Sequence, residues 1–176
     1  MNTQKYILSA ILILAFVAMP DFTAMPVNGD NEWHNHSVRW LTGHALFALS
    51  HANVFHLAGN LLCLYLMKIP LRLPLTLGIS FVCSFIPVWS VWEVQAVCGF
   101  SGVLLASIGY AFGDAAWRNH SGLWLKRMVK WCVVPTVVTG LLPHMAMAFH
   151  LYCLAAGYLT ATLFGIAKGR KGGARW

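Results

Sequence analysis

Between Gly99 and Gly113 the chain reads GFSGVLLASIGYAFG, a run that contains no charged side chain. Of the 176 residues, 59% are apolar and only 10% are charged, whereas a soluble globular domain carries about 25% charged residues. This composition argues against a soluble domain, a disordered chain and a disulfide scaffold. It predicts an integral membrane protein with one domain, residues 1–176.

A membrane span needs about 20 mostly apolar residues. On that scale the sequence predicts an all-α polytopic bundle with six transmembrane helices. The predicted spans are Thr3–Met19, Ser50–Met67, Leu71–Trp89, Gly99–Ala116, Val129–Leu142 and Met145–Ala167. The first of them could instead be a cleaved signal peptide, because Lys5 precedes an apolar run and small residues follow near Ala24. Cleavage would leave five spans and an external N-terminus.

The basic residues predict the orientation. The net charge is +7, and eleven of the twelve Lys and Arg residues fall on one side of the six-span arrangement, with only Arg39 on the other. This is the positive-inside pattern. It predicts two cytoplasmic termini, a long outer loop over about 20–49 and a basic cytoplasmic tail over about 168–176. Basic loops could also bind lipid headgroups or nucleic acid, but their alternation favours topology, and we expect no nucleic-acid partner.

Polar side chains at membrane depth are costly and indicate candidate functional positions. The segment HALFALSHANVFHLAGN carries His44, His51, His56 and Asn60. His56 and Asn60 share one helix face and can donate toward one point, while His51 would fall off that face by about 140°. For His44 and His51 a structural role stays open. A histidine metal site lacks both an i,i+4 ligand pair and a carboxylate.

Gly99-Phe100-Ser101-Gly102 opens the fourth predicted span. The glycines permit close backbone approach and leave the hydroxyl uncovered, and Ser101 is predicted to head a helix whose N-terminus favours negative charge. The alternative is that Ser101 only caps the helix and that the glycines only mark a packing contact.

Ser101 in the fourth predicted span and His150 in the sixth are predicted to lie at a similar depth in the membrane. At 1.5 Å per residue, Ser101 to Ala116 covers about 24 Å and His150 to Ala167 about 27 Å, so both side chains are predicted near the outer leaflet. A single buried polar contact between helices is the alternative role of His150. Together with His56 and Asn60, however, the pair supplies the nucleophile, base and oxyanion stabilisers of acyl transfer.

These motifs resemble the rhomboid family of intramembrane serine proteases. The matching residues are Arg39 before the second span, His51-x4-His56-x3-Asn60 within it, Gly99-x-Ser101-Gly102 with Gly109 in the fourth span, and His150 in the sixth. The resemblance is strong over roughly 40–165 and covers the first span by topology only. Six spans with an outer first loop are the family's minimal bacterial core, which implies a multi-pass protein of the bacterial inner (plasma) membrane.

The resemblance implies a role for each matching residue. Ser101 would attack the scissile carbonyl, and His150 would take its proton and return it to the leaving amine. The side chains of His56 and Asn60, with the backbone N–H of Ser101, would hold the oxyanion. Supporting positions are Gly99, Gly102, His51 and Gly157. No metal or organic cofactor is implied.

The implied substrates are single-span membrane proteins within the lipid bilayer. A helical peptide bond is shielded, so we expect cleavage near the outer interface, where small or helix-breaking residues allow unwinding.

Three positions depart from the family pattern. Leu105 stands where an aromatic residue often packs on the base, Cys153 stands where Gly is usual, and Arg39 lies about one helical turn too far from His51. A noncatalytic rhomboid-like protein that binds or escorts transmembrane clients remains the alternative function. A transporter or channel with a His-lined proton path is a third interpretation. We expect no acidic residue within any span, and that absence weakens this interpretation.

Overall fold

The computed structural model describes residues 3–19, 38–67, 69–86, 97–117, 130 and 146–167. The elements within these ranges are all helical, which confirms the all-α class for the described part of the chain. They are α1 (Thr3–Ala18), α2 (Val38–Leu46), α3 (Val54–Leu66), α4 (Leu73–Cys83), α5 (Ser101–Trp117) and α6 (Met147–Ala167). The predicted span Val129–Leu142 (Lys130 aside), most of the predicted outer loop and the basic tail lie outside the described residues.

Two local predictions differ from the structure. The helix α2 lies within the predicted outer loop, where no helix was expected. The helix α3 starts at Val54 rather than near Ser50, because Asn53 has extended backbone and its side chain accepts a hydrogen bond from the backbone N–H of His56, at 2.9 Å. Such a side-chain contact ends the helix at its N-cap. His51 therefore precedes the helix, and its predicted angular position on a helix face is wrong.

The helix α5 lies at the centre of the fold and packs most closely on α6. Residues 102–110 of α5 are all buried. The backbones approach so closely that a Cβ on Gly109 would collide with the carbonyl oxygen of Leu154, and one on Gly157 with the carbonyl oxygen of Ala106. Such approach requires small residues. Farther along, a Cβ on Gly113 would lie 2.5 Å from the carbonyl oxygen of Tyr158, so the two helices run parallel.

The remaining long helices alternate in direction around α5. Lys5, in the first turn of α1, donates to the carbonyl oxygen of Met67, the C-cap of α3, so α1 and α3 are antiparallel. A cation at a helix C-terminus also interacts favourably with the helix dipole. Arg72, before α4, lies 4.8 Å from the ring centroid of Tyr110 well along α5, while Ser80 of α4 lies beside Gly102 at the start of α5. The helices α4 and α5 are therefore antiparallel too.

The polarity of the surface is inverted relative to a soluble protein. Phe55 is 84% exposed and Leu163 is 64% exposed, whereas Asn60, Ser80 and His150 are buried. Water would penalise so much exposed apolar area, and lipid does not. Among the described helices, α6 is the one that is long and apolar enough to cross a membrane, while α1, α3 and α4 are apolar but shorter.

The α5–α6 contact predicts a large difference between two glycine substitutions. Gly109→Ala should destabilise the protein by about 1–3 kcal/mol, since the added methyl group meets the backbone of Leu154. Gly78→Ala on α4 is the matched control, because a Cβ there meets nothing within 4 Å. It should leave stability unchanged or raise it by up to about 1 kcal/mol. Unfolding in detergent micelles measures both, and equal stabilities would contradict this packing.

Candidate active site

The side chains of Ser101 and His150 meet at the paired N-terminal ends of α5 and α6. Ser101 is the first residue of α5, as predicted, and its Oγ lies 2.8 Å from Nε2 of His150. His150 lies in the first turn of α6 and is only 7% exposed. If the hydroxyl donates to Nε2, the ring proton is on Nδ1. Nδ1 is buried and has no hydrogen-bond partner among the described residues.

Gly99 forms a turn that no other residue fits easily. Its φ is +101°, in the region that favours glycine. Its N–H donates to the carbonyl oxygen of Phe47 at 2.8 Å, which ties the segment after α2 to the turn before Ser101. A Cβ on Gly99 would lie 2.6 Å from Nε2 of His56 and 3.2 Å from Nδ2 of Asn60. The two side chains from α3 therefore converge on the backbone just ahead of Ser101.

His56 and Asn60 both present N–H groups at this place. The Nδ1 atom of His56 accepts a long hydrogen bond from the backbone N–H of Ala52, at 3.4 Å. A neutral imidazole that accepts at Nδ1 carries its proton on Nε2, which is the atom that faces Gly99. The Nδ2 atom of Asn60 is buried and has no partner among the described residues. Two available donors beside a hydroxyl can stabilise a developing oxyanion.

An aromatic pair, Phe149 and Phe47, packs next to the candidate base. Phe149 is fully buried, and its ring packs edge-on against Phe47 at a centroid distance of 5.6 Å. A Cβ on Gly102 would lie 2.6 Å from the Phe149 ring and 2.7 Å from Oγ of Ser80. Phe149 was not among the predicted site residues, because an apolar residue next to a candidate base carries no distinctive signal in the sequence. Leu105 is buried in the core, and the described aromatic side chain that lies against Gly102 is Phe149.

The other two histidines within the described residues, His51 and His44, occupy different positions. The Nδ1 atom of His51 hydrogen bonds with the carbonyl oxygen of Leu49 at 3.3 Å. The His51 ring packs edge-on against the ring of His56, with 5.2 Å between the ring centroids. His44 hydrogen bonds with Oγ of Ser84 at 2.8 Å and stacks on Phe85 at 4.1 Å. His44 thereby holds α2 against the end of α4, a structural role.

The expectation that no span contains an acidic residue is wrong. Asp114 lies in the last turn of α5, within the predicted span Gly99–Ala116. It lies about 20 Å farther along α5 than Ser101, and so it is remote from the candidate site. No group of three or more His, Cys, Asp or Glu side chains in the described part of the chain could hold a metal ion.

No protein-family model matches the chain, and no curated protein matches it either. The functional assignment therefore depends on the motifs and on the geometry of the residues described above.

The Gly99 turn generates a prediction about reactivity. Gly99→Ala should slow labelling of Ser101 by a fluorophosphonate at least about tenfold, because the methyl group displaces His56 and an alanine at this φ is strained by about 1–3 kcal/mol. Gly59→Ala on α3 is the control, because a Cβ there meets nothing within 4 Å. Rapid labelling of the Gly99 variant would argue against this arrangement of donors.

Proposed function

We propose that the chain is a rhomboid-like intramembrane serine endopeptidase with Ser101 and His150 as its catalytic dyad. The observation that carries the proposal is the 2.8 Å contact between Ser101 Oγ and His150 Nε2. A hydroxyl paired with a neutral imidazole is the usual arrangement of an activated serine nucleophile. The convergence of His56 and Asn60 on Gly99 supports it independently, because a helix-packing serine needs no such donors.

The first half of the reaction forms an acyl-enzyme. Ser101 Oγ attacks the carbonyl carbon of the scissile peptide bond as its proton passes to His150 Nε2. The carbonyl oxygen becomes an oxyanion, which accepts hydrogen bonds from His56 Nε2–H, Asn60 Nδ2–H and the backbone N–H of Ser101. Collapse breaks the C–N bond, and His150 returns the proton to the leaving amine.

The second half releases the acyl group. A water molecule attacks the ester on Ser101, again with His150 as the base, and the serine is regenerated. No carboxylate orients His150 among the described residues, so the orientation of the ring has to come from packing. Phe149, held by Phe47 and Gly102, supplies that packing on the adjacent position of α6.

A membrane setting with six spans and cytoplasmic termini completes the proposal. The apolar exterior of the helices supports it. Since α5 and α6 are parallel, the chain between Trp117 and Ala146 has to return to the starting end, which supports a fifth span over Val129–Leu142. Lys5 lies at the end of the bundle opposite Ser101. With that basic end on the inside of a bacterial plasma membrane, the dyad lies toward the outside.

The proposed substrates are single-span membrane proteins that approach from the lipid bilayer. The dyad lies at the helix ends, so a substrate helix would be cut near the outer interface after local unwinding. Small or helix-breaking residues at that point lower the cost of unwinding.

Substitution of the dyad tests the catalytic assignment directly. Ser101→Ala and His150→Ala should each abolish cleavage of a model single-span substrate, because the nucleophile or its base is lost. Ser107→Ala is the matched control: Ser107 is also a buried serine on α5, but its hydroxyl donates to the carbonyl oxygen of Val103. It should retain near-normal activity. Equal cleavage by Ser101→Ala would refute the dyad, and inactivity of the unmodified chain on several substrates would favour the noncatalytic binding alternative.

The proposed oxyanion donors predict a specific kinetic signature. Asn60→Leu and His56→Leu should each lower kcat about 10²–10³-fold with little change in KM, because these donors act mainly on the transition state. Cys63→Ser, at an exposed position of α3, provides a control on the same helix. Steady-state cleavage in detergent or liposomes separates the two constants. A rise in KM with unchanged kcat would instead assign His56 and Asn60 to substrate binding.

A further inference from the structure

Two thiols lie in contact beneath the proposed dyad. Cys83 is the last residue of α4 and is 2% exposed, and Cys153 of α6 is fully buried. Both are free, and the two side chains lie near enough to interact with each other. The contact joins two helices that come from distant parts of the chain.

The position of the pair connects it to the site. Cys153 follows His150 by one turn of α6, so both side chains lie on the buried face of that helix. On the other side, Ser84 follows Cys83 and binds His44, and Ser80 lies beside Gly102. Any movement of Cys153 toward Cys83 therefore acts on the helix turn that carries the base.

We propose that Cys83 and Cys153 form a reversible disulfide that slows the reaction of Ser101. The inference goes beyond the proposed protease activity, although its effect on Ser101 rests on that activity. The thiols are held together before oxidation, which favours an intramolecular bond over mixed disulfides. They lie at the same end of the bundle as Ser101, which the proposed topology turns toward the outside, where disulfides persist.

The oxidant belongs to the disulfide class, and the exchange balances. One cysteine sulfur attacks the oxidant's S–S bond and expels one thiol. The second cysteine sulfur then attacks the mixed disulfide and expels the other thiol. Two S–H bonds and one S–S bond break, the Cys83–Cys153 bond forms, and the oxidant leaves as two thiols carrying the protons and electrons.

The new bond would alter the distance between the helices. Bonded sulfurs lie about 2.05 Å apart, which is closer than the sulfurs of two unbonded thiols can approach. The helices α4 and α6 then have to approach or rotate, and the turn from Cys153 to His150 transmits the shift. Misplacement of a catalytic group by about 1 Å can cost roughly 10²-fold in rate.

The test uses the full chain with the other three cysteines, Cys63, Cys98 and Cys132, replaced by Ala. The protein is treated with 4,4′-dithiodipyridine, a small membrane-permeant disulfide, and the remaining thiols are blocked before digestion and mass spectrometry. A peptide cross-linked through Cys83 and Cys153 is expected, and Cys83→Ala in the same background should give none. Two separate mixed disulfides, or no modification at either thiol, would overturn the proposal.

Labelling of Ser101 by a fluorophosphonate supplies the second readout. The oxidised protein should label at least about tenfold more slowly than the reduced protein, dithiothreitol should restore the rate, and Cys83→Ala should be insensitive to the oxidant. Unchanged labelling in cross-linked protein would overturn the regulatory link. If the reduced protein does not label either, the protease assignment fails, while the cross-linked peptide still decides whether the thiols form the bond.

Discussion

Backbone contact between α5 and α6 is the constraint on which the site depends. Gly109 and Gly157 each face a carbonyl oxygen of the other helix, and no larger residue would allow that distance. The contact fixes the register of two parallel helices, and the register places Ser101 beside His150. A slip by one turn would separate them by about 5.4 Å along the axis and remove the hydrogen bond. The packing glycines, remote from the hydroxyl, thus determine whether Ser101 can reach His150.

The parts of the site that follow from helix geometry could be predicted from the sequence. The start of α5 at Ser101 follows from the two glycines around it and the apolar run behind it. The equal depth of Ser101 and His150 follows from helix rise alone, because both helices extend without interruption to the same end of the bundle. The shared face of His56 and Asn60 follows from their spacing of four, and the structure turns both toward Gly99.

Other features depend on local competition that composition does not reveal. The mostly apolar segment Ser50–Met67 predicted a helix from Ser50, but the side chain of Asn53 accepts a hydrogen bond from the N–H of His56 and the helix starts later. His51 therefore precedes the helix, with its ring beside that of His56. The helix α2 was missed because His44 finds its partners, Ser84 and Phe85, on a distant segment. Tertiary contacts of this kind override local propensity.

The absence of a carboxylate near His150 within the described residues has a physical consequence at membrane depth. An ionised carboxylate there would lose most of its hydration, and its attraction to an imidazolium seldom offsets that loss. A neutral hydroxyl–imidazole pair avoids the penalty in the resting state. In the proposed reaction, charge appears only as the carbonyl is attacked, so N–H groups that are already in place near Ser101 become the main means of stabilising the oxyanion. The proposed role fits the glycine at φ +101° in the turn before Ser101, because only without a side chain can the backbone lie this close to His56 and Asn60.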